Sequence, residues 1–300
     1  MPKGPAGPTS LIEMETFFQS LVSGVLTGAL YAMIGIGLTV VFGVMRIINL
    51  AHGEMVMLGM FGAFWGQALW KLDPFVSLAV WTPLMFVAGM LVYRFLLRKI
   101  IPGGELNTLL YTAGLSLLIA NLALFVWKGD YRTISLSYGM TPIRPFGIAI
   151  AVPLAIAFGL ALAITAALWL FLARTDMGRA IRATSQNAEA AVLMGVDVER
   201  VAIVTFGLGT ALAGAAGVLL APSLYLYPTV GELLIVKCFV IVVLGGLGSV
   251  PGAIAGGILL GVVESMGAVY VSSTYKDGIG FVLFLGVLLY RPSGLFGVGK

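Results

Sequence analysis

The chain has 300 residues, of which 60% are hydrophobic and only 10% are charged, and its mean hydropathy is +1.06. Soluble domains contain roughly 25% charged residues, so this composition excludes a soluble enzyme and indicates an integral membrane protein. The net charge of +4 comes from Lys and Arg in short connectors between apolar runs, which is typical of membrane orientation and not of nucleic-acid binding.

Apolar runs long enough to cross about 30 Å of hydrocarbon recur along almost the whole chain. They predict an all-α, polytopic membrane protein with about nine transmembrane helices, within a range of eight to ten. The predicted helices cover residues 17–43, 51–70, 75–97, 107–127, 148–172, 200–221, 231–246, 253–271 and 278–290. Residues 1–16 are expected to form an N-terminal extension, and residues 17–297 a single transmembrane domain.

Basic residues are divided unevenly between alternate connectors. If the connector 175–200 is cytoplasmic, alternation places ten Lys and Arg residues on the cytoplasmic side and six on the opposite side. Cytoplasmic connectors carry an excess of positive charge. This bias favours a cytoplasmic connector 175–200 and, for an odd number of spans, an N-terminus on the outside.

Two helical runs are interrupted. The first break, FGVMRIINLAHG at residues 42–53, contains an Arg, an Asn and the only His of the chain. The second, LGGLGSVPG at residues 244–252, contains four glycines and a proline. Interrupted helices commonly bind the polar parts of a transported solute, because their freed backbone groups cannot face lipid. The residues expected to border a translocation path are Asn49, His52, Gly53 and Glu54.

Glycines recur at every fourth position from the second break onward. Gly248, Gly252 and Gly256 predict a helix crossing in which two backbones approach closely, because small residues leave room for a neighbouring helix.

Few side chains could support chemistry of another kind. His52 and Glu54 could form an acid and base pair or bind a metal, but residues two apart on a helix point to different faces and no second His exists. We therefore predict no catalytic residue and no metal site. Lys237, Glu232 and Glu264 could couple an ion gradient to a secondary carrier, or could simply pair with one another.

The connector 175–200, which we call the coupling segment, is a long charged insertion between two apolar runs. Thr175 or Asp176 can cap a helix running to about Met194, and Gly195 can end it. The pattern EAAxxxG within it matches the cytoplasmic loop by which ABC importer permeases dock on their ATPase, although a simple solvated loop is an alternative. The residues expected to contact the ATPase are Gly178, Arg179, Arg182, Glu189, Ala190, Ala191 and Gly195.

Four motifs closely resemble the permeases of branched-chain amino acid ABC importers, the LivH family. They are INLAHGEMVMLGMF, MGRAIRATSQNAEAAVLMGVDVERV, VVLGGLGSVPGAIAGGILLGVVES and RPSGLFG, which begin at residues 48, 177, 242 and 291. The resemblance implies a multi-pass protein of the bacterial inner membrane that works with a second homologous permease, two cytoplasmic ATPases and a periplasmic binding protein. ATP and Mg²⁺ are expected on the ATPases, and no cofactor is expected in this chain.

The resemblance leaves the solute less certain than the mechanism. Leu, Ile and Val are zwitterions with an apolar side chain, and a weakly polar path with few fixed charges suits them. The same family includes permeases for urea, short amides and aromatic acids. An ion-coupled secondary carrier is a further alternative.

Overall fold

A computed structural model of the chain describes residues 8–291 and 294–296. The longer helices are α1 (Pro8–Met45), α2 (His52–Trp70), α3 (Pro74–Val92), α4 (Glu105–Trp127), α5 (Val152–Arg174), α6 (Asp176–Gln186), α7 (Ala188–Leu193), α8 (Val198–Leu220), α9 (Val230–Gly245), α10 (Val250–Tyr270) and α11 (Lys276–Tyr290). Helix α3 continues through a π-helical turn, Tyr93–Leu97, into a short helix at Arg98–Ile100. The described ranges contain isolated β-bridges but no strand, which confirms the all-α prediction.

Every one of the nine predicted segments overlaps a helix, but six described helices are long and apolar enough to cross a membrane. These are Glu13–Met45, Pro74–Ile100, Glu105–Trp127, Val152–Arg174, Val198–Leu220 and Val250–Tyr270. The three predicted spans that are not among them correspond to α2, α9 and α11. Helix α2 has 19 residues, whereas α9 and α11 have 16 and 15, which at about 1.5 Å per residue is less than the hydrocarbon thickness. Nine spans therefore stays a prediction.

Helix α8 lies at the centre of the bundle, between α1, α2 and α3. A Cβ atom added to Gly59 of α2 would lie 2.1 Å from the Gly214 carbonyl oxygen, and one added to Gly37 of α1 would lie 2.9 Å from that of Gly209. Such distances leave no space for a side chain. Glycine is therefore required where α8 meets α1 and α2, since any larger residue would separate the backbones.

Helices α1 and α10 cross in the same way. A Cβ atom on Gly28 would lie 2.7 Å from the Ile258 Cα atom, and one on Gly261 would lie 2.4 Å from the Gly28 Cα atom. Near the same crossing the Ser265 hydroxyl donates to the Ser20 carbonyl oxygen at 2.7 Å. This hydrogen bond satisfies a hydroxyl where lipid would offer no partner.

The connectors contact one another in two groups, one at each end of the bundle. At one end Arg132 and Leu226 exchange backbone hydrogen bonds of 2.8 Å, and the Tyr138 hydroxyl donates to Asp73 at 2.6 Å. At the other end Arg98 pairs with Glu199 at 2.9 Å. Each of these contacts joins connectors that the charge bias places on the same side of the membrane.

Candidate translocation path and coupling segment

The first break begins where α1 ends, with Arg46 in the left-handed backbone region at φ 54°. The chain then runs without regular structure to α2, which releases backbone groups from helical hydrogen bonds. The Thr112 hydroxyl of α4 lies 3.3 Å from both the Leu50 nitrogen and the Ile48 carbonyl oxygen, so it can accept from the first and donate to the second. A helix that is distant in sequence therefore provides hydrogen-bond partners for the freed backbone groups of the break, inside the protein.

Two of the residues expected to border the path, Asn49 and His52, are each 1% exposed. The Asn49 side-chain oxygen accepts the Ala51 N–H at 3.1 Å and thereby shapes the entry to α2. His52 Nε2 lies 3.1 Å from the Ile34 carbonyl oxygen of α1, which makes this nitrogen the donor. Both side chains therefore bind to the protein's own backbone.

The other two, Gly53 and Glu54, face α9. A Cβ atom on Gly53 would lie 2.1 Å from the Gly231 carbonyl oxygen, and the Glu54 carboxylate lies against Gly231 itself. Glu54, which is 1% exposed, accepts a hydrogen bond from the Ser116 hydroxyl at 3.2 Å through one carboxylate oxygen, and the other oxygen has no partner in the described structure. A role of these four residues in a path stays a prediction.

The second break lies directly beside the first. Gly246 and Gly248 have φ values of 99° and 85°, a region that glycine adopts without strain. A Cβ atom on Gly248 would meet nothing nearer than the Gly43 Cα atom of α1, at 3.8 Å. Gly248 therefore belongs to the turn between α9 and α10, and not to the helix crossing that its spacing suggested.

Gly252 and Gly256 do lie where α9 and α10 pack tightly. A Cβ atom on Gly252 would lie 2.1 Å from the Gly245 carbonyl oxygen, and one on Gly256 would lie 2.5 Å from that of Ile241. The Ser249 hydroxyl caps α10 by accepting the Gly252 N–H at 3.1 Å. This geometry leaves no space for a side chain at either glycine.

The C-terminal part of the RPSGLFG motif closes the same turn. The N–H groups of Leu295 and Phe296 donate to the carbonyl oxygens of Leu244 and Gly245, at 2.8 and 3.0 Å. These carbonyls end α9 and lack partners within the helix. The resemblance had not assigned a role to this motif, whose final Gly297 lies outside the described residues.

A groove of about 670 Å³, which we call the break groove, opens where the two breaks and the start of α4 meet. Its lining residues are Phe42, Arg46, Ile48, Glu105, Leu106, Leu109 and Leu247. Arg46 and Ile48 belong to the first break, but they point outward whereas Asn49 and His52 point inward. The open surface of the break is thus formed by residues that sequence reasoning did not select.

Lys237 is the centre of a buried charge cluster that joins three helices. Its ammonium group pairs with Glu264 of α10 and, at 2.7 Å, with Asp277 of α11, and it lies 5.0 Å from the ring centre of Tyr31. The Lys237 and Glu264 side chains are 6% and 7% exposed. The pairing of Lys237 with Glu264 corresponds to the pairing alternative of the sequence analysis, with Asp277 as a second carboxylate; Glu232 is exposed.

The coupling segment forms two helices, α6 and α7, and then enters the first turn of α8. The Thr175 hydroxyl caps α6 by accepting the Gly178 N–H at 3.0 Å. The expectation of one helix to Met194 is wrong, because Asn187 leaves the helical region and its side chain caps α7, accepting the Ala190 N–H at 3.0 Å. Asn competes with helix by such local bonds. Gly195 follows α7 with φ 82°.

The apolar face of α6 packs on the bundle. Ile181 is 4% exposed and lies in one cluster with Val44, near the end of α1, and Val201 of α8. Gly178 lies against the end of α5, where an added Cβ atom would be 2.3 Å from the Phe171 carbonyl oxygen. The segment is therefore attached to the ends of three long helices.

The opposite face of the coupling segment is open. The predicted contact residues Arg179, Arg182, Glu189 and Ala190 are exposed, whereas Gly178 and Ala191 are buried; Arg179 pairs with Asp176. Sequence reasoning missed the tip, where Val192, Leu193 and Met194 are 57%, 87% and 84% exposed. The signal was three large apolar residues in a row within a charged connector. An exposed apolar patch with a polar rim is typical of a protein interface.

Comparison with known proteins gives a consistent result. Residues 20–288 match the family described as "Branched-chain amino acid transport system / permease component". The chain is 34% identical to the high-affinity branched-chain amino acid transport system permease protein BraD of Pseudomonas aeruginosa, over 95% of this chain and 97% of BraD. It is 33% identical to LivH of Salmonella typhimurium, over 94% of this chain and 96% of LivH.

The Escherichia coli protein LivH is 32% identical, again over 94% of this chain and 96% of the relative. No solved structure matches the chain significantly. Because the family match covers nearly all of the transmembrane helices, and relatives align from end to end, the chain belongs to the family of permease components of branched-chain amino acid transport systems.

Proposed function

We propose that this chain is the transmembrane permease subunit of an ABC importer for branched-chain amino acids in a bacterial inner membrane. The names of the relatives support the solute, and the long apolar helices support the location. The chain supplies the path, and two cytoplasmic ATPases, which bind ATP and Mg²⁺, supply the energy. A second homologous permease and a periplasmic binding protein complete the importer.

The observation that carries the proposal is how the coupling segment is held. Its exposed face ends in the apolar tip of Leu193 and Met194, and its buried face packs through Ile181 on Val44. Val44 lies two residues before Arg46, where the first break begins. A partner that moves the tip would therefore move the end of α1, so that closure of the ATPases changes the side to which the path opens.

The proposal includes nine membrane-crossing helices, with the coupling segment on the cytoplasmic side of the membrane. The contacts between connectors support this arrangement, because they form two groups that agree with strict alternation. The shorter α9 and α11 would cross the membrane while packed against the longer helices.

The structure gives little support to ion coupling at Lys237 and Glu264, the pair that the sequence offered to an ion-coupled carrier. A coupling site needs a charge that an ion or proton can reach and neutralise. Lys237 and Glu264 pair with each other and both are almost fully buried, so neither is such a charge; Asp277, which also pairs with Lys237, is 35% exposed at its side chain.

Transport by the complete importer tests the proposal. With both permeases, the ATPases and the binding protein in proteoliposomes, we expect uptake of labelled L-leucine that requires ATP and is reduced by unlabelled isoleucine and valine. Urea, acetamide and benzoate should not compete. Leucine uptake driven by a sodium or proton gradient without ATP would contradict the proposal. Uptake reduced by urea, acetamide or benzoate but not by isoleucine and valine would contradict it as well.

The coupling role has its own test in the double variant Leu193→Ser with Met194→Ser. Burial of a large apolar side chain contributes about 1.5 to 3 kcal/mol, so we expect ATPase binding to weaken by at least about 10-fold and uptake to fall with it. The matched control, Leu193→Ile with Met194→Leu, keeps the tip apolar and should retain both. Normal ATPase binding by the serine variant would place the contact elsewhere.

A further inference from the structure

The break groove contains two charged side chains in an otherwise apolar wall. Arg46 comes from the first break and Glu105 from the first turn of α4, and both are exposed. Within the described residues neither side chain has a hydrogen bond or an ion pair, and they do not pair with each other. Unpaired charges at the edge of a membrane domain usually face water or a ligand, because facing lipid is costly.

The remaining wall is formed by aliphatic and aromatic carbon. Ile48, Leu106 and Leu247 line the groove and are 37%, 67% and 50% exposed. The volume of about 670 Å³ falls within the range of roughly 300 to 1,000 Å³ that is usual for small-molecule sites. The groove thus combines one cation, one anion and an apolar surface.

A branched-chain amino acid has the complementary chemistry. Its α-carboxylate requires a donor such as a guanidinium group, its α-ammonium requires an acceptor such as a carboxylate, and its side chain requires an apolar contact. A lipid acyl chain would match the apolar wall, but it has no charged group to pair with either side chain.

The position of the groove fits a step in transport. It lies between the two helix breaks, where Gly43 and Gly248 approach each other, and discontinuous helices are where transporters commonly bind solute. It is also close to the end of α1, which contacts the coupling segment through Val44 and Ile181. A movement of that segment would change the groove.

We infer that the break groove is a solute subsite on the cytoplasmic side of the path, where Arg46 binds the α-carboxylate and Glu105 the α-ammonium of a branched-chain amino acid. The inference rests on the proposed function. It names Arg46 and Glu105, and not the buried Asn49 and His52 that were expected to border the path, as groups that contact the solute.

Protection of single cysteines tests the site in the complete importer. In a Cys238→Ser background, Ile48→Cys and Leu106→Cys are labelled with a water-soluble maleimide, with and without L-leucine. We expect leucine to slow labelling at both positions. Labelling of the control Lys99→Cys, which is exposed to water in the connector after α3 and does not line the groove, should stay unchanged. Neither 4-methylpentanoate, which lacks the ammonium group, nor isopentylamine, which lacks the carboxylate, should protect as leucine does.

The charged residues are tested in the same background. Arg46→Gln and Glu105→Gln should each raise the leucine concentration needed for half-maximal protection by about 10-fold, since each removes a charge-assisted hydrogen bond. The controls Arg94→Gln and Glu15→Gln remove the same kinds of charge at exposed positions away from the groove. In these variants half-maximal protection should need the same leucine concentration as in the parent.

The outcomes separate this inference from the proposed function. Equal protection by leucine and both analogues, or no protection by leucine while ATP-driven leucine uptake continues, would overturn the subsite and leave the function intact. Absence of ATP-driven leucine uptake in the parent importer would overturn the proposed function itself.

Discussion

Helices α1 and α8 differ sharply from α3, α4 and α5 in burial but not in hydropathy. In the most apolar stretch of 18 residues of each helix, 78% of the residues of α1 and 83% of those of α8 are buried, against 17% for each of the other three. The mean hydropathies are 2.1 and 2.0 for the first pair and 2.0, 2.0 and 2.4 for the others. Hydropathy therefore indicates which segments can enter a membrane and does not indicate which of them form the centre.

Residue size makes the distinction. Helix α8 carries a run of glycines and alanines through its middle, and its neighbours approach its backbone directly. Helix α4 presents large side chains outward, among them Leu118, Leu122 and Phe125, which are 56%, 54% and 86% exposed. Because apolar surface gains nothing by moving from lipid to protein, close packing of small residues decides which helices come together.

The peripheral helix α4 is attached to the bundle by hydrogen bonds of two hydroxyl side chains and not by close packing of small residues. Thr112 reaches the backbone of the first break, and Ser116 donates to Glu54. The two hydroxyls are four residues apart, on one face of the helix. A spacing of small polar residues in an apolar helix was therefore a signal of attachment that hydropathy did not show.

The largest effect should come from a bulky residue in the centre. Gly217→Leu on α8 would place a side chain where even a Cβ atom lies 2.0 Å from the Val56 carbonyl oxygen. We expect a loss of stability beyond the about 1 to 3 kcal/mol of ordinary overpacking, and little folded protein in detergent. Gly252→Leu should behave similarly.

The control for that variant is Gly159→Leu on α5, where an added Cβ atom meets nothing within 4 Å. It should remain folded and monodisperse in size-exclusion chromatography. If Gly217→Leu were as stable as Gly159→Leu in thermal unfolding, the contrast between centre and periphery would be wrong.

Lys237→Met should give the next largest effect. It would leave Glu264 buried without its partner, and breaking a buried pair in this way costs about 3 to 5 kcal/mol. Combining it with Glu264→Met should recover most of the loss, because Asp277 is 35% exposed at its side chain and can reach water. The measurement is the thermal unfolding midpoint in detergent.

The exposed Lys99→Met is the control for charge removal and should change stability by at most about 0.5 kcal/mol. A single Lys237→Met variant as stable as this control would show that the buried cluster contributes nothing to the attachment of α11.

The smallest effect should come from the periphery. Leu118→Ala on α4 removes an exposed side chain and should change stability by about 0.5 kcal/mol or less. Leu260→Ala on α10 removes one that is 1% exposed and should cost about 2 to 5 kcal/mol. Equal losses in the two variants, measured by thermal unfolding, would mean that α4 is as tightly packed as α10.

The all-α class, the helices and the two breaks followed from local features of the sequence. Long apolar runs predict helices because backbone groups in lipid must bond within their own segment. The failures were also local. Asn187 could have stayed in one long helix or capped a second, and in the structure its side chain accepts the Ala190 N–H and begins a second helix.

The sequence by itself determined that this protein is a helical membrane permease of a known family, and where its helices and coupling segment lie. Only the tertiary structure decided that Asn49 and His52 point inward, that Arg46 faces a groove, and that Lys237 pairs with Glu264. The physical reason is that a membrane helix can be apolar on every side. Its orientation is then set by contacts with helices far away in the sequence, which no local pattern records.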